Sequence, residues 1–253
     1  MRVGLSLLTL VPGEVGGAET SARGLCRGLA EVGTFDYVAF TPPAAPGAGE
    51  GLLEVAVPEY RSARSIPERV HAIPWGIDHE RFRTGEDVRE PFLLYPARPW
   101  PHKNHARLLH AFALLRRERP ELRLVLTGGR HKGGAAPPGV DVRGLVPAEE
   151  LASLYRRAAC LVFPSLYEGF GQPPLEAMAS GCPVAASNIP AVAEACGEAA
   201  ALFDPTNADD MAAVVAGVLD APDRFVYAGL ERARGFTWAE TARRHEAVYR
   251  SIV

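Results

Sequence analysis

Hydrophobic residues along the chain fall into two arrangements, short unbroken apolar runs and stripes at helical spacing, and the two alternate. The run RVGLSLLT (2–9) predicts a buried strand. Ala18, Ala22, Leu25, Leu29 and Val32 follow at steps of four, three, four and three, which predicts a helix. DYVAF (36–40) predicts a second strand and LLEVAVP a third, separated by a loop rich in proline and glycine. Residues 61–72 contain little that resembles a core.

From Ile73 onward the alternation becomes regular. FLLYPA (92–97), RLVLTGG (123–129), the short VDVRG (140–144), CLVFPS (160–165), PVAAS and AALFD predict strands. Helices are predicted near 104–117, from Pro147 with Leu151, Leu154 and Ala158 on one face, from PPLEAMAS, and near 207–220, 222–234 and 237–252. Alternation of this kind predicts an α/β fold with parallel, doubly wound sheets. The chain divides into two unequal parts. Residues 1–72 form a partial first domain. Residues 73–253 form a full second domain, with the last helix packing back toward the first.

The composition is that of an ordinary globular protein: 253 residues, 47% hydrophobic, 23% charged, net charge -3. That balance exerts no pull toward nucleic acid. The apolar runs are strand-sized, so none spans a bilayer, and the opening MRVGLSLLTLVPG reads as a strand rather than a secretory leader. Cys26, Cys160, Cys182 and Cys196 are scattered without a C-x-x-C pair, which suits reduced core thiols in a cytoplasmic protein. Of the 27 basic residues only Lys103 and Lys132 are lysine. A lysine kept under that bias is a candidate for a specific role.

The segment with most chemical content is Glu168-Gly169-Phe170-Gly171-Gln172-Pro173-Pro174-Leu175-Glu176. It follows a strand and opens a helix, so it gathers backbone N–H groups and a positive dipole end where a phosphate binds well. Glu168 before the turn and Glu176 in the first helical turn add acceptors for sugar hydroxyls. Taken alone, the segment reads equally as a plain glycine turn with Glu176 complementing the helix dipole. A second cluster, Arg98 through Lys103 and His105, follows the strand FLLYPA at the carboxyl end where open sheets bind ligands. Arg98 offers a bidentate fork and Lys103 a point charge for a diphosphate. In isolation a solvated basic loop is the commoner reading. His102, His105 and His110 have no companion cluster at ligand spacing, so no metal is expected. Gly16-Gly17, between the first strand and helix, departs from G-x-G-x-x-G and is no dinucleotide fingerprint.

Together these segments resemble glycosyltransferase family 4, retaining enzymes of the GT-B fold with two Rossmann-like domains. The resemblance covers 73–253 almost continuously, plus roughly 1–40. The two glutamates separated by seven residues, Glu168 and Glu176, look like the family signature. Ile73-Pro74-Trp75-Gly76-Ile77-Asp78 with Phe82 resembles the interdomain segment, though the family usually has asparagine where Trp75 stands. The resemblance implies a sugar moved from a nucleoside-diphosphate donor, such as GDP-mannose or a UDP-sugar, to an acceptor it does not name, without metal or further cofactor. Glu168, Arg98 and Lys103 would act at the reacting centre. Glu168 would hold the sugar, Phe170, Gly171 and Gly169 would present amides, and Glu176 would bind ribose. Arg143 would lie near the base, and Gly17 would approach the diphosphate from the other domain. Such a protein would be cytoplasmic, with peripheral membrane contact left open.

The first part is short for this family, and no histidine precedes His71. By comparison with the family, about a hundred residues are absent between the early strands and Ile73, through omission, through a natural or engineered deletion, or because a partner supplies them. The short first part motivates an alternative reading, a catalytically silent nucleotide-sugar-binding module.

Overall fold

A computed structural model describes residues 2–6, 17–41, 47–56, 72–129 and 136–251. The chain forms two compact units, one of 1–78 with 235–253 and the other of 79–234. The division thus falls six residues beyond the expected 72/73 boundary, and the final helix belongs to the first unit.

The first unit contains β1 (Arg2–Ser6), α1 (Gly17–Val32), β2 (Asp36–Thr41), β3 (Leu53–Ala56) and, from the far end of the chain, α8 (Trp238–Ser251). Its three strands are parallel in the order β1-β2-β3. The described part of β1 is Arg2–Ser6; the rest of the predicted run to residue 9, with Gly16, lies outside the described residues. The core gathers Leu5, Cys26, Leu29, Tyr37 and Ala39 with Ala242 from α8. Glycine is needed where α1 meets α8. A Cβ on Gly24 would sit 2.2 Å from the Trp238 ring, and one on Gly28 would sit 2.6 Å from the Trp238 carbonyl oxygen. A parallel bridge joins Ile77 to Thr237, just ahead of α8.

The second unit contains β4 (Glu90–Pro96), α2 (His105–Glu118), β5 (Arg123–Thr127), β6 (Val140–Gly144), α3 (Ala148–Arg157) and β7 (Ala158–Phe163). It continues with α4 (Gln172–Ala179), β8 (Val184–Ser187), α5 (Pro190–Cys196), β9 (Ala201–Phe203), α6 (Ala208–Asp220) and α7 (Pro222–Arg234). All six strands are parallel, in the order β6-β5-β4-β7-β8-β9. The apolar runs are unbroken because both sheet faces are covered. Leu93, Leu94, Leu124, Val125, Leu161, Val162 and Val184 have no exposed surface. α2 packs with α6, and α4 with α7.

That strand order positions the site. The chain winds outward from β4 through β5 to β6, then returns to β7 beside β4 and winds the other way. The loops leaving the carboxyl ends of β4 and β7 therefore flank the point where the winding reverses, the usual ligand position in an open α/β sheet.

One sequence expectation fails in α3. Its buried residues are Ala152, Leu154 and Tyr155, whereas Leu151 is half-buried and Ala158 already belongs to β7. A helix ten residues long that runs directly into a strand offers too few turns for the periodicity to fix its buried face. Cys26, Cys160, Cys182 and Cys196 are all buried and unpaired, and burial pushes the Cys26 thiol up to about 11. No helix among the described residues is long and apolar enough to cross a membrane.

Candidate functional site

β4 ends at Pro96, and the next residues carry the first cluster. The Trp100 amide donates to the Arg98 carbonyl at 2.8 Å, and the Lys103 amide donates to the Trp100 carbonyl at 2.9 Å. Pro101–Lys103 form one turn of 3-10 helix. It is closed by Asn104, whose φ of 59° lies in the left-handed region that asparagine tolerates better than most residues. The Arg98 guanidinium lies 5.8 Å from the centroid of the Trp100 ring.

β7 ends at Phe163 and leads through Pro164, Ser165 and Leu166 to the glutamate turn. The two loops are tied together. The Leu166 amide donates to the His102 carbonyl at 2.8 Å. Above that tie, Lys103 Nζ donates to Glu168 Oε1 at 2.5 Å, with the two side chains only 16% and 14% exposed. The Lys103 ammonium also lies 5.8 Å from the centroid of the Phe163 ring.

Gly171 is the N-cap of α4, with φ of 100°, a conformation that disfavours any side chain. Pro173 and Pro174 follow in the first helical turn and carry no N–H. The amides of this turn are therefore those of residues 169–172. Gly169 is exposed and a Cβ there would meet nothing within 4 Å, which leaves open space beside its backbone. The first turn of α4 holds no acidic residue, because Glu176 is the fifth residue of the helix. The expectation that Glu176 sits in the first turn is corrected accordingly: Gln172 rather than Pro173 opens the helix. Glu176 Oε2 accepts from Tyr155 Oη at 3.1 Å. Burial, with the Glu176 charge adding to it, holds the Tyr155 hydroxyl well above its ordinary pKa, so it remains a donor.

Two further expected residues stand on other elements. Arg143, in the edge strand β6, bonds Asp141 at 2.8 Å and approaches Glu150 at 3.6 Å. The Asp141 bond holds its guanidinium above the ordinary pKa. Gly17 opens α1 in the first unit. Among the described residues, no group of three or more His, Cys, Asp or Glu could hold a metal ion.

The sequence reading passed over two buried polar residues beneath the pair, Tyr95 and Asn104. Tyr95 Oη donates to the Lys103 carbonyl at 2.8 Å and lies 3.3 Å from Ser165 Oγ. Asn104 Nδ2 donates to the Pro164 and Pro205 carbonyls at 2.9 and 2.8 Å. The signal available was a tyrosine at the end of an apolar strand and an asparagine directly before a helix.

Comparison with known proteins gives a consistent picture. The family described as "Glycosyl transferases group 1" matches residues 76–232. The chain is 34% identical over 204 residues to the MMP alpha-(1->4)-mannosyltransferase of Mycolicibacterium hassiacum, covering 74% of this chain and 49% of that protein. It is 36% identical over 220 residues to D-inositol 3-phosphate glycosyltransferase 2 of Catenulispora acidiphila, covering 74% and 52%. The chain thus spans about half the length of these curated relatives. Among solved structures, Anabaena HepE in complex with UDP and glucose matches 99% of this chain and 100% of its own, with a TM-score of 0.76 and 12% identity. That likeness concerns the fold.

Proposed function

The chain belongs to the group 1 glycosyl transferases, and from that premise we propose that it moves a sugar from a nucleoside-diphosphate donor to an acceptor with retention at the anomeric carbon and without a metal ion. The observation that carries this reading is the Lys103–Glu168 pair beyond the carboxyl ends of β4 and β7, beside the turn that opens α4. A cation, a carboxylate and a run of backbone amides in one place suit a diphosphate joined to a sugar.

The roles follow from charge. As the bond between the anomeric carbon and the diphosphate oxygen breaks, negative charge accumulates on the diphosphate. Lys103, Arg98 and the amides of Gly169, Phe170 and Gly171 meet that charge. Donors of this type raise the rate because they bind more strongly as the charge grows. Glu168 accepts from the sugar hydroxyls and Glu176 from the ribose hydroxyls. The released diphosphate oxygen takes the proton of the acceptor hydroxyl, and the new bond forms on the face the diphosphate leaves. Arg143 is assigned to the base side, where Asp141 and Glu150 already hold its guanidinium.

The donor classes to examine are UDP-sugars and GDP-mannose. The mannosyltransferase relative favours a mannose donor. The test is a thermal-shift screen of nucleoside diphosphates and nucleotide sugars, followed by donor turnover with and without EDTA. A selective rise in melting temperature, with turnover that survives the chelator, supports the reading. Binding without transfer or donor hydrolysis would indicate a silent binding module. No shift with any nucleotide would remove the basis for the site.

A further inference from the structure

We propose that Tyr95 and Asn104 are positioning residues that bind the Lys103 loop to the Glu168 loop from below and so set the ammonium–carboxylate pair; this rests on the donor site proposed above. Neither residue is placed to touch a donor. Tyr95 has no exposed surface and Asn104 is 7% exposed. Each makes a hydrogen bond to a residue distant in sequence, just beyond the end of β7.

Tyr95 stands in β4, and its hydroxyl bridges the carbonyl of Lys103 and the hydroxyl of Ser165, which is itself fully buried. Lys103 and Ser165 lie on the two loops that leave β4 and β7. Asn104 is the residue after Lys103. Its amide reaches the Pro164 carbonyl on the β7 loop and the Pro205 carbonyl beyond β9, while its Oδ1 accepts from Arg107 at 3.0 Å. The amide is thus engaged on carbonyls beyond β7 and β9, and the oxygen on Arg107 of α2. Burial pushes the Tyr95 hydroxyl above its ordinary pKa, with the Glu168 charge adding to it, so it stays protonated and donates.

A plainer account exists for each residue. Tyr95 packs edge-on against Phe163, with ring centroids 6.0 Å apart, so its ring could matter for the core alone. Asn104 could serve only as a residue that accepts φ of 59°. Tyr95→Phe keeps the ring and removes the hydroxyl. Asn104→Gly keeps the left-handed backbone and removes the side-chain ties. Under the plainer account Phe costs little, and Gly does as well as Asn.

Isothermal titration of UDP and of GDP into the full chain decides between them, using wild type, both variants, Lys103→Met, and each variant combined with Lys103→Met. Each single variant is expected to stay folded and to raise the Kd of the bound diphosphate about fivefold. Added to Lys103→Met, each is expected to cost less than about twofold, because the group they position is gone. Should Asn104→Gly fail to fold, Ser165→Ala removes the second partner of Tyr95 and must show the same loss. Wild-type affinity in the single variants, or an equal loss in both backgrounds, overturns the proposal. If Lys103→Met weakens binding and these variants do not, the donor site stands and only the positioning role falls. If wild type binds neither UDP nor GDP, both fall together.

Discussion

Lys103 Nζ and Glu168 Oε1 lie 2.5 Å apart although the residues are 65 positions apart in sequence. Each group is thereby the other's partner when no donor is present. Under the proposed roles, a diphosphate drawing on Lys103 and a sugar drawing on Glu168 would compete with that bond, so donor binding would rearrange an existing pair.

The pair predicts coupled losses. Lys103→Met and Glu168→Gln should each lower donor turnover by about a hundredfold, the scale of losing one charge-stabilising donor. The double variant should lose much less than the product, since each single variant also strands the other charge. Steady-state rates of the four proteins check this. Fully multiplicative losses would show that the two groups act independently.

Glu176 gives a prediction about the ribose. Glu176→Gln should weaken UDP or GDP about tenfold, the loss expected for one charge-assisted hydrogen bond, yet leave the 2′,3′-dideoxy analogue nearly unchanged. Tyr155→Phe, which removes one donor to Glu176, should leave that discrimination in place. Equal weakening of both ligands by Glu176→Gln would separate Glu176 from ribose recognition.

Glu246 predicts a pH dependence of the first unit. Its carboxylate accepts from the Thr34 amide at 2.5 Å, the Thr34 hydroxyl at 2.6 Å and the Tyr37 hydroxyl at 3.1 Å. The Thr34 hydroxyl bond is the largest cause of a folded-state pKa below the ordinary 4.5. A depressed carboxyl means that the unfolded chain takes up the proton first as pH falls. Its contribution is therefore complete above about 4.5 and is lost as pH drops through the folded value. Thermal melts between pH 3 and 7 should show a shallower acid limb for Glu246→Gln than for wild type, from a lower plateau.

Gly24 predicts a packing effect. Gly24→Ala would drive a methyl into the Trp238 ring and should destabilise the protein by about 1–3 kcal/mol, the usual cost of overpacking. Trp238→Phe in the same chain should recover part of the loss. Urea unfolding followed by far-ultraviolet circular dichroism measures both. Unchanged stability in Gly24→Ala would mean that α1 and α8 can move apart freely.

Much of the second unit is legible from its apolar runs, because a strand covered on both faces must be apolar along its whole length. Lys103 and Glu168 are legible one at a time, the first as a rare lysine after a strand, the second as a carboxylate before a glycine turn. Their pairing is not legible, because it depends on β7 lying beside β4, and strand order is not written in local periodicity. The same limit hides Tyr95 and Asn104. A tyrosine ending an apolar run looks like core, and an asparagine before a helix looks like a cap. Here the Asn104 side chain makes no capping bond and reaches two other strand ends instead. Arg143 shows the opposite failure. Its sequence neighbours do not announce that Asp141, two residues away, will hold it.

The interleaving of the two units sets an order of assembly during translation. Residues 79–234 are contiguous, so the second unit can fold as soon as they have emerged from the ribosome. The first unit has its strands made early, yet the helix that covers Cys26 and Leu29 is synthesised only after residue 234. Its half-built core must wait, exposed, while the whole of the second unit is made. A stall or cleavage after residue 234 would therefore leave a finished second unit tethered to a first unit that lacks its last helix.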